Sequence, residues 1–245
     1  MIQPNQICLI VKLYNNRPEL LPDSNGIAKL ICMSKARNFS EIAPNIAFPE
    51  FNFYELYYST FEKSELGRIK KLLPLREMAE NFGLVRKSMR PKLGRKSFFT
   101  PEGKVALMFL KMYTGLSCPK LMEQLNGNIH YQIFCDVIID PTRPLTNYKM
   151  LDDIMMELAG KLKIQQLQGI LADKWRPYME NLDTMYTDAA AMEGSFGTQK
   201  EHYDLRRVKA RTKRTEILYI FFGIHTANVV QLADRIEQRA RLAAA

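Results

Sequence analysis

Apolar positions recur at helical spacing along most of the chain after residue 53. In "YELYYSTFEKSELGRIKKLLP" residues Leu56, Phe61, Leu66, Ile69 and Leu73 fall near one face until Pro74 stops the run, which predicts a helix. A shorter helix, "PLREMAENFGL", ends at Gly83. Thr100 followed by Pro101 is a cap with proline in the first helical position, opening a helix through "EGKVALMFLKMYTG". Because Val105 to Leu110 is apolar on every side, that helix should be buried inside a bundle. Gly115 ends it, and Ser117 caps "CPKLMEQLNG", with Leu121, Met122 and Leu125 on one stripe. Gly127 ends that one in turn, and "NIHYQIFCDVI" follows with Ile129, Ile133, Phe134 and Val137 inward. Beyond "DPTRP", one long amphipathic helix is expected from Asn147 to Trp175, with Leu151, Ile154, Met155, Leu158, Leu162 and Leu167 down one side and Pro177 closing it.

After that helix, "LDTMYTDA" has the pattern of a strand with an acid at its end, and from Glu193 the spacing is helical again. The tail holds a basic stretch, "LRRVKARTKRTE", and a largely apolar helix, "ILYIFFGIHTANVVQLADRI". The first fifty residues are uneven, with a strand-like run at Ile7 to Leu13 and a turn-rich "PDSNG". The three helices over 100–138, joined by tight turns, suit either a plain bundle or a helix-turn-helix unit that lays one helix in a DNA major groove.

Composition sharpens this picture in two places. A chain of 245 residues that is 47% hydrophobic can bury one substantial core or two smaller ones. A formal charge of +9 and a pI near 9.3 favour a polyanionic partner, since Lys and Arg gain affinity for phosphates by releasing condensed counterions. Between Arg86 and Lys104 lie seven Lys or Arg against one acid, Glu102, with Pro91 and Gly94 interrupting any helix. This basic linker is either a solvated loop or an arm along a DNA backbone.

The four cysteines form no CxxC pair, which fits a reducing cytoplasm rather than a disulfide framework. Cys118, His130 and Cys135 lack a fourth zinc ligand and sit among apolar positions where free Cys is commonly buried. The longest early apolar run, "ICLIVKLY", is too short to span a bilayer, and no membrane role is expected.

Against this background the region "FFTPEGKVALMFLKMYTGLSCPKLMEQLNGNIHYQIFCDV" resembles the amino-terminal helical domain of bacterial insertion-sequence transposases of the DDE type. "DTMYTDA" is similar to the first catalytic strand of that family's RNase H-like domain. "AMEGSFGTQKEHYDLRRVKARTKRTEILYIFFGIHTANVV" is similar to the helix carrying its third acid, with the closing helices. The resemblance covers roughly residues 50–236 and implies four parts: a poorly patterned segment (1–50), a helical DNA-binding domain (51–145), a long connecting helix (146–180) and a remnant of the catalytic domain (181–245). It implies double-stranded DNA at terminal inverted repeats as partner, and a bacterial, nucleoid-associated location. A competing reading is a regulatory or interaction remnant that pairs with intact transposase through "YIFFGIHTANVV", or a non-functional decayed element; a homo-oligomer is the other expected assembly.

By the same resemblance Asp188 stands for the first catalytic Asp, Glu193 for the final Glu, and Lys200 for the basic residue after it. Seven helical steps turn by about 700°, so Glu193 and Lys200 share one face. The family's mechanism uses three carboxylates around two Mg²⁺ or Mn²⁺ ions, and here the middle Asp is missing. Only four residues separate Asp188 from Glu193. In a helix their side chains would diverge by about 140°, and in an extended chain they would stand roughly 16 Å apart. Neither geometry converges on a metal pair, and no ion is expected to be held productively by Asp188 and Glu193 without a third carboxylate.

The expected fold is therefore mainly α: a helical bundle with a helix-turn-helix-like amino-terminal domain and a truncated remnant of an RNase H-like α/β domain. The 147–175 helix should pack on the 216–236 helix, since each would otherwise expose a large apolar face. The expected DNA contacts are Arg86, Lys87, Arg90, Lys92, Arg95 and Lys96 in the linker and Arg206, Arg207, Lys209, Arg211, Lys213 and Arg214 in the tail, all acting through charge. Tyr131 and Gln132 are candidate base-edge readers, because Gln can bond adenine in bidentate fashion.

Overall fold

The computed structural model describes residues 47–48, 51–85, 97–180 and 212–244. Two short strands, β1 (Ala47–Phe48) and β2 (Phe51–Asn52), pair antiparallel with Phe48 opposite Phe51. Everything that follows among the described residues is helical or connecting turn.

The helix expected from 53 to 73 is two helices, α1 (Phe53–Lys63) and α2 (Glu65–Leu72). Ser64 makes the break. Its backbone is extended, and its hydroxyl accepts the Gly67 N–H at 3.2 Å while donating to the Phe61 carbonyl at 2.5 Å. A serine followed by an acid in the first turn is a helix-start signal strong enough to interrupt an otherwise continuous apolar stripe. α3 (Leu75–Asn81) follows, and Gly83 takes the left-handed conformation just beyond it.

α4 (Pro101–Thr114) begins as the sequence predicts. The Thr100 hydroxyl accepts the Gly103 N–H at 2.9 Å, and Gly115 ends the helix at φ 62°, where a Cβ would be strained. Gly103 has a second reason to lack a side chain, because a Cβ there would stand 2.5 Å from the Cys135 carbonyl oxygen. Val105 to Leu110 are all buried, so α4 is a central helix. α5 (Cys118–Gly127) and α6 (Ile129–Phe134) come next, and the Asn128 carboxamide oxygen caps α6 by accepting the N–H groups of His130 and Tyr131.

The expected single helix over 147–175 is also two, α7 (Lys149–Gly160) and α8 (Ile164–Glu180), separated at Lys161–Lys163. Pro177 does not close α8; the helix continues to Glu180. Pro removes one hydrogen bond close to the C-terminus, where carbonyls reach water, so the disruption is small. The predicted strand ending at Asp188 lies outside the described residues.

The last helix, α9 (Lys213–Ala244), organises the rest. Thr212 and Thr215 cap its start reciprocally, each hydroxyl accepting the other's backbone N–H. From Thr215 to Ala233 it buries twelve residues, packing on α4, α7 and α2 and touching α8. Phe222 is fully buried, with its ring edge-on to Phe109 of α4 at 4.9 Å and stacked on Phe82, just after α3, at 6.3 Å. The expected contact between the 147–175 segment and the closing helix is present, made by both α7 and α8. α9 is long and apolar enough to cross a bilayer, yet 61% of its most apolar stretch is buried in this body.

The ring of Phe222 connects three helices, so Phe222→Ala should cost about 3–5 kcal/mol. Leu242→Ala, at a position 79% exposed, should stay within about 0.5 kcal/mol of the parent. Urea unfolding followed by circular dichroism distinguishes the two; equal effects would remove Phe222 from the centre of the core.

Candidate nucleic-acid interface

The unit from α4 to α6 is held by polar side chains turned toward its own backbone. Gln132 is 5% exposed. Its amide donates to the carbonyls of Leu125 (2.9 Å) and Asn126 (3.3 Å), and its side-chain oxygen accepts the Ile139 N–H at 3.1 Å. Asn126 in turn exchanges two 2.9 Å hydrogen bonds with the backbone of Leu145. α6 closes with Asp136 in the left-handed region (φ 51°), as the N–H groups of Asp136 and Val137 return to the carbonyls of Ile133 and Gln132. Lys70 reaches across from α2 to the Ile133 carbonyl at 2.5 Å, placing a cation at the negative end of α6. Burial pushes the Lys70 ammonium below its ordinary proton affinity, partly offset by the Asp136 charge.

These contacts correct one sequence expectation. Gln132 does not face solvent, and its amide is committed to tying the end of α5 to the turn after α6. Tyr131 is half-buried and packs against the core. α6 itself has six residues, three of them buried. The sequence signals that were missed are Asn126 and Asn128, residues whose short amides organise turns and caps.

Charge is distributed unevenly. Residues 51–85, 97–180 and 212–244 hold 19 Lys or Arg against 17 Asp or Glu, whereas residues 86–96 hold six Lys or Arg and no acid. Most of the chain's +9 therefore belongs to 86–96. Arg86, Lys87, Arg90, Lys92, Arg95 and Lys96 all lie outside the described residues. Just after this run the rings of Phe98 and Phe99 meet edge-on at 5.1 Å, with Phe99 buried. Lys104, at the end of the same basic run, is engaged inside the body, where its Nζ lies 2.6 Å from Glu157 of α7. Burial opposes ionisation of Glu157, but hydrogen bonds from Lys104 and Lys161 outweigh it and hold the carboxyl below its usual range.

In the tail, Arg206, Arg207, Lys209 and Arg211 lie outside the described residues, while Lys213 and Arg214 are exposed in the first turn of α9. Two cations at the positive end of a helix dipole repel it modestly, a cost that a phosphate nearby would offset. Asp188, Glu193 and Lys200 also lie outside the described residues. Among the described residues no group of three or more His, Cys, Asp or Glu side chains could hold a metal ion. Cys118 donates to Asp152 at 3.4 Å, Cys135 is fully buried with its thiol pushed far up by desolvation, and the His130 ring rests edge-on against Phe61 at 5.8 Å.

Residues 55–153, from α1 into α7 and including the basic run, match a family model described as Transposase domain (DUF772). The match supports a transposase family. No curated protein and no solved structure matches the chain. The matched transposase domain stops before α8 and α9, yet its core contains Phe222 of α9.

If Gln132 is a scaffold residue, Gln132→Ala should lose about 1–3 kcal/mol of stability, because it strands the buried Ile139 N–H. DNA affinity per folded molecule should be unchanged. A stably folded variant with altered sequence preference in anisotropy titrations would restore the base-reading role.

Proposed function

We propose that this chain is a DNA-binding protein of the transposase family, which holds the terminal inverted repeats of an insertion sequence mainly through electrostatic contacts to phosphates. The observation that carries the reading is the placement of six uncompensated cations, residues 86–96, within the matched domain between α3 and α4, on a body otherwise close to neutral. Counterion release makes such binding strong at low salt and positions DNA without reading its bases. Lys213 and Arg214 at the head of α9, with the four cations before them, supply a second basic segment. A phosphate contact from Lys104 is not part of the proposal, since Glu157 already engages it.

Replacing the six cations of 86–96 by Gln should weaken binding to inverted-repeat DNA at every salt concentration. It should also flatten the slope of log K against log [salt] by up to about five units, at about 0.9 for each phosphate no longer neutralised. Anisotropy titrations between low and physiological salt measure both. An unchanged slope would remove this segment from the interface.

We further propose that the chain does not cleave DNA. Asp188 and Glu193 are separated by four residues, too close along the backbone to occupy the separate elements that a two-metal site needs, and no middle Asp stands between them. With Mg²⁺ or Mn²⁺, nicking of supercoiled plasmid should equal that of the Asp188→Ala, Glu193→Ala double variant; metal-dependent nicking that the double variant lacks would overturn the proposal. Pairing with an intact transposase through residues 219–230 is disfavoured, because most of that segment is buried in the chain's own core.

A further inference from the structure

His225 lies midway along α9, 9% exposed, and its Nδ1 has no hydrogen-bond partner. Its ring stands 4.4 Å from Phe221 on the same helix and 6.0 Å from Trp175 on α8. Trp175 is the chain's one tryptophan, and its indole N–H donates to the Leu72 carbonyl at 2.9 Å. The imidazole is thus covered by the side chain that docks α8 onto the body.

The two helices meeting at this seam are held very differently. α9 buries twelve residues among α2, α4 and α7. Over residues 164–179, α8 buries Leu167, Leu171 and Trp175, and Gln166 accepts an exposed hydrogen bond from Asn81. A charge arising on His225 must be hydrated or compensated. Several charged groups on the surrounding helices are paired with one another: Arg68 of α2 with Glu237, Arg76 of α3 with Glu80, Lys104 of α4 and Lys161 with Glu157 of α7, and Asp173 of α8 with Arg176. Burial is the sole cause acting on the imidazole, and no carboxylate raises its proton affinity. Water reaches it with least disruption if α8 moves away.

We propose that α8 is an acid-released strut: protonation of His225 displaces Trp175 and detaches α8 from α9, while α2, α3, α4, α7 and α9 stay assembled. In the docked state burial pushes the imidazole down to about 4, and exposure on detachment raises it toward its ordinary value of 6.5. Docking is therefore at full strength above pH 6.5 and weakens as pH falls from 6.5 toward 4, by at most about 30-fold at pH 5. In sequence α8 leads directly into residues 181–211, which hold Asp188, Glu193 and four of the tail cations.

Amide hydrogen exchange of the full chain, read by mass spectrometry at pH 7 and pH 5 and corrected for intrinsic rates, tests this. Peptides of α8 should lose protection by up to about 20-fold relative to α4 and α9, with a red shift of Trp175 emission. His225→Gln, which keeps a neutral polar group, and His225→Leu should each preserve α8 protection at pH 5. Three results overturn the proposal: unchanged α8 protection in the parent chain, parallel loss of protection in α8 and α4, or the same α8 loss in a folded His225 variant.

Discussion

Burial of one aromatic ring from the end of the chain between two helices from its beginning is the constraint on which the fold depends. Phe222 packs against both Phe82 and Phe109 where α3 and α4 already meet, and without it the face that this helix pair turns toward α9 would be left unfilled. A side chain of that size contributes about 3 kcal/mol or less by transfer alone, but its removal also leaves a cavity that rigid neighbouring helices cannot close. The rest of α9 extends the same logic, with Leu218, Val229 and Leu232 completing a single continuous core. The boundary of the matched transposase domain at residue 153 is therefore not a boundary of the hydrophobic core.

Polar groups divide the body from its reactive margins. Inside, Gln132, Asn126, Asn128, Lys70 and Lys104 all spend their hydrogen-bonding capacity on backbone or on a neighbouring carboxylate. Such groups fix geometry and have little left to offer a ligand. The surplus cations are concentrated in sequence at 86–96, outside the described residues, and in the stretch that precedes α9.

Much of this was legible from residue pattern. The caps Thr100 and Gly115, the all-round burial of α4 and the pairing of the 147–175 region with the closing helix follow from periodicity and terminal residues. Two breaks were masked by an apolar stripe that continues across them because both helices face the same core: at Ser64 a helix-start signal was present beneath the stripe, and at Lys161–Lys163 there was none. Gln132 was misread for a related reason: a polar residue between Tyr131 and Ile133 looks exposed until the chain folds back and presents it with Leu125 and Ile139. The partnership of Phe222 with Phe109 spans more than a hundred residues, and no local pattern encodes it.

That long span has a consequence for synthesis. When α7 leaves the ribosome, the helices matched to the family model are complete, but the groove that will receive α9 is still open. Residues 161–236 must follow before it closes, and at ordinary elongation rates this takes roughly 4–15 s. During that interval Phe82, Phe109 and their neighbours face water as a sticky trough, so the nascent chain is a natural client for a chaperone, and a ribosome stalled before α9 would release an aggregation-prone product.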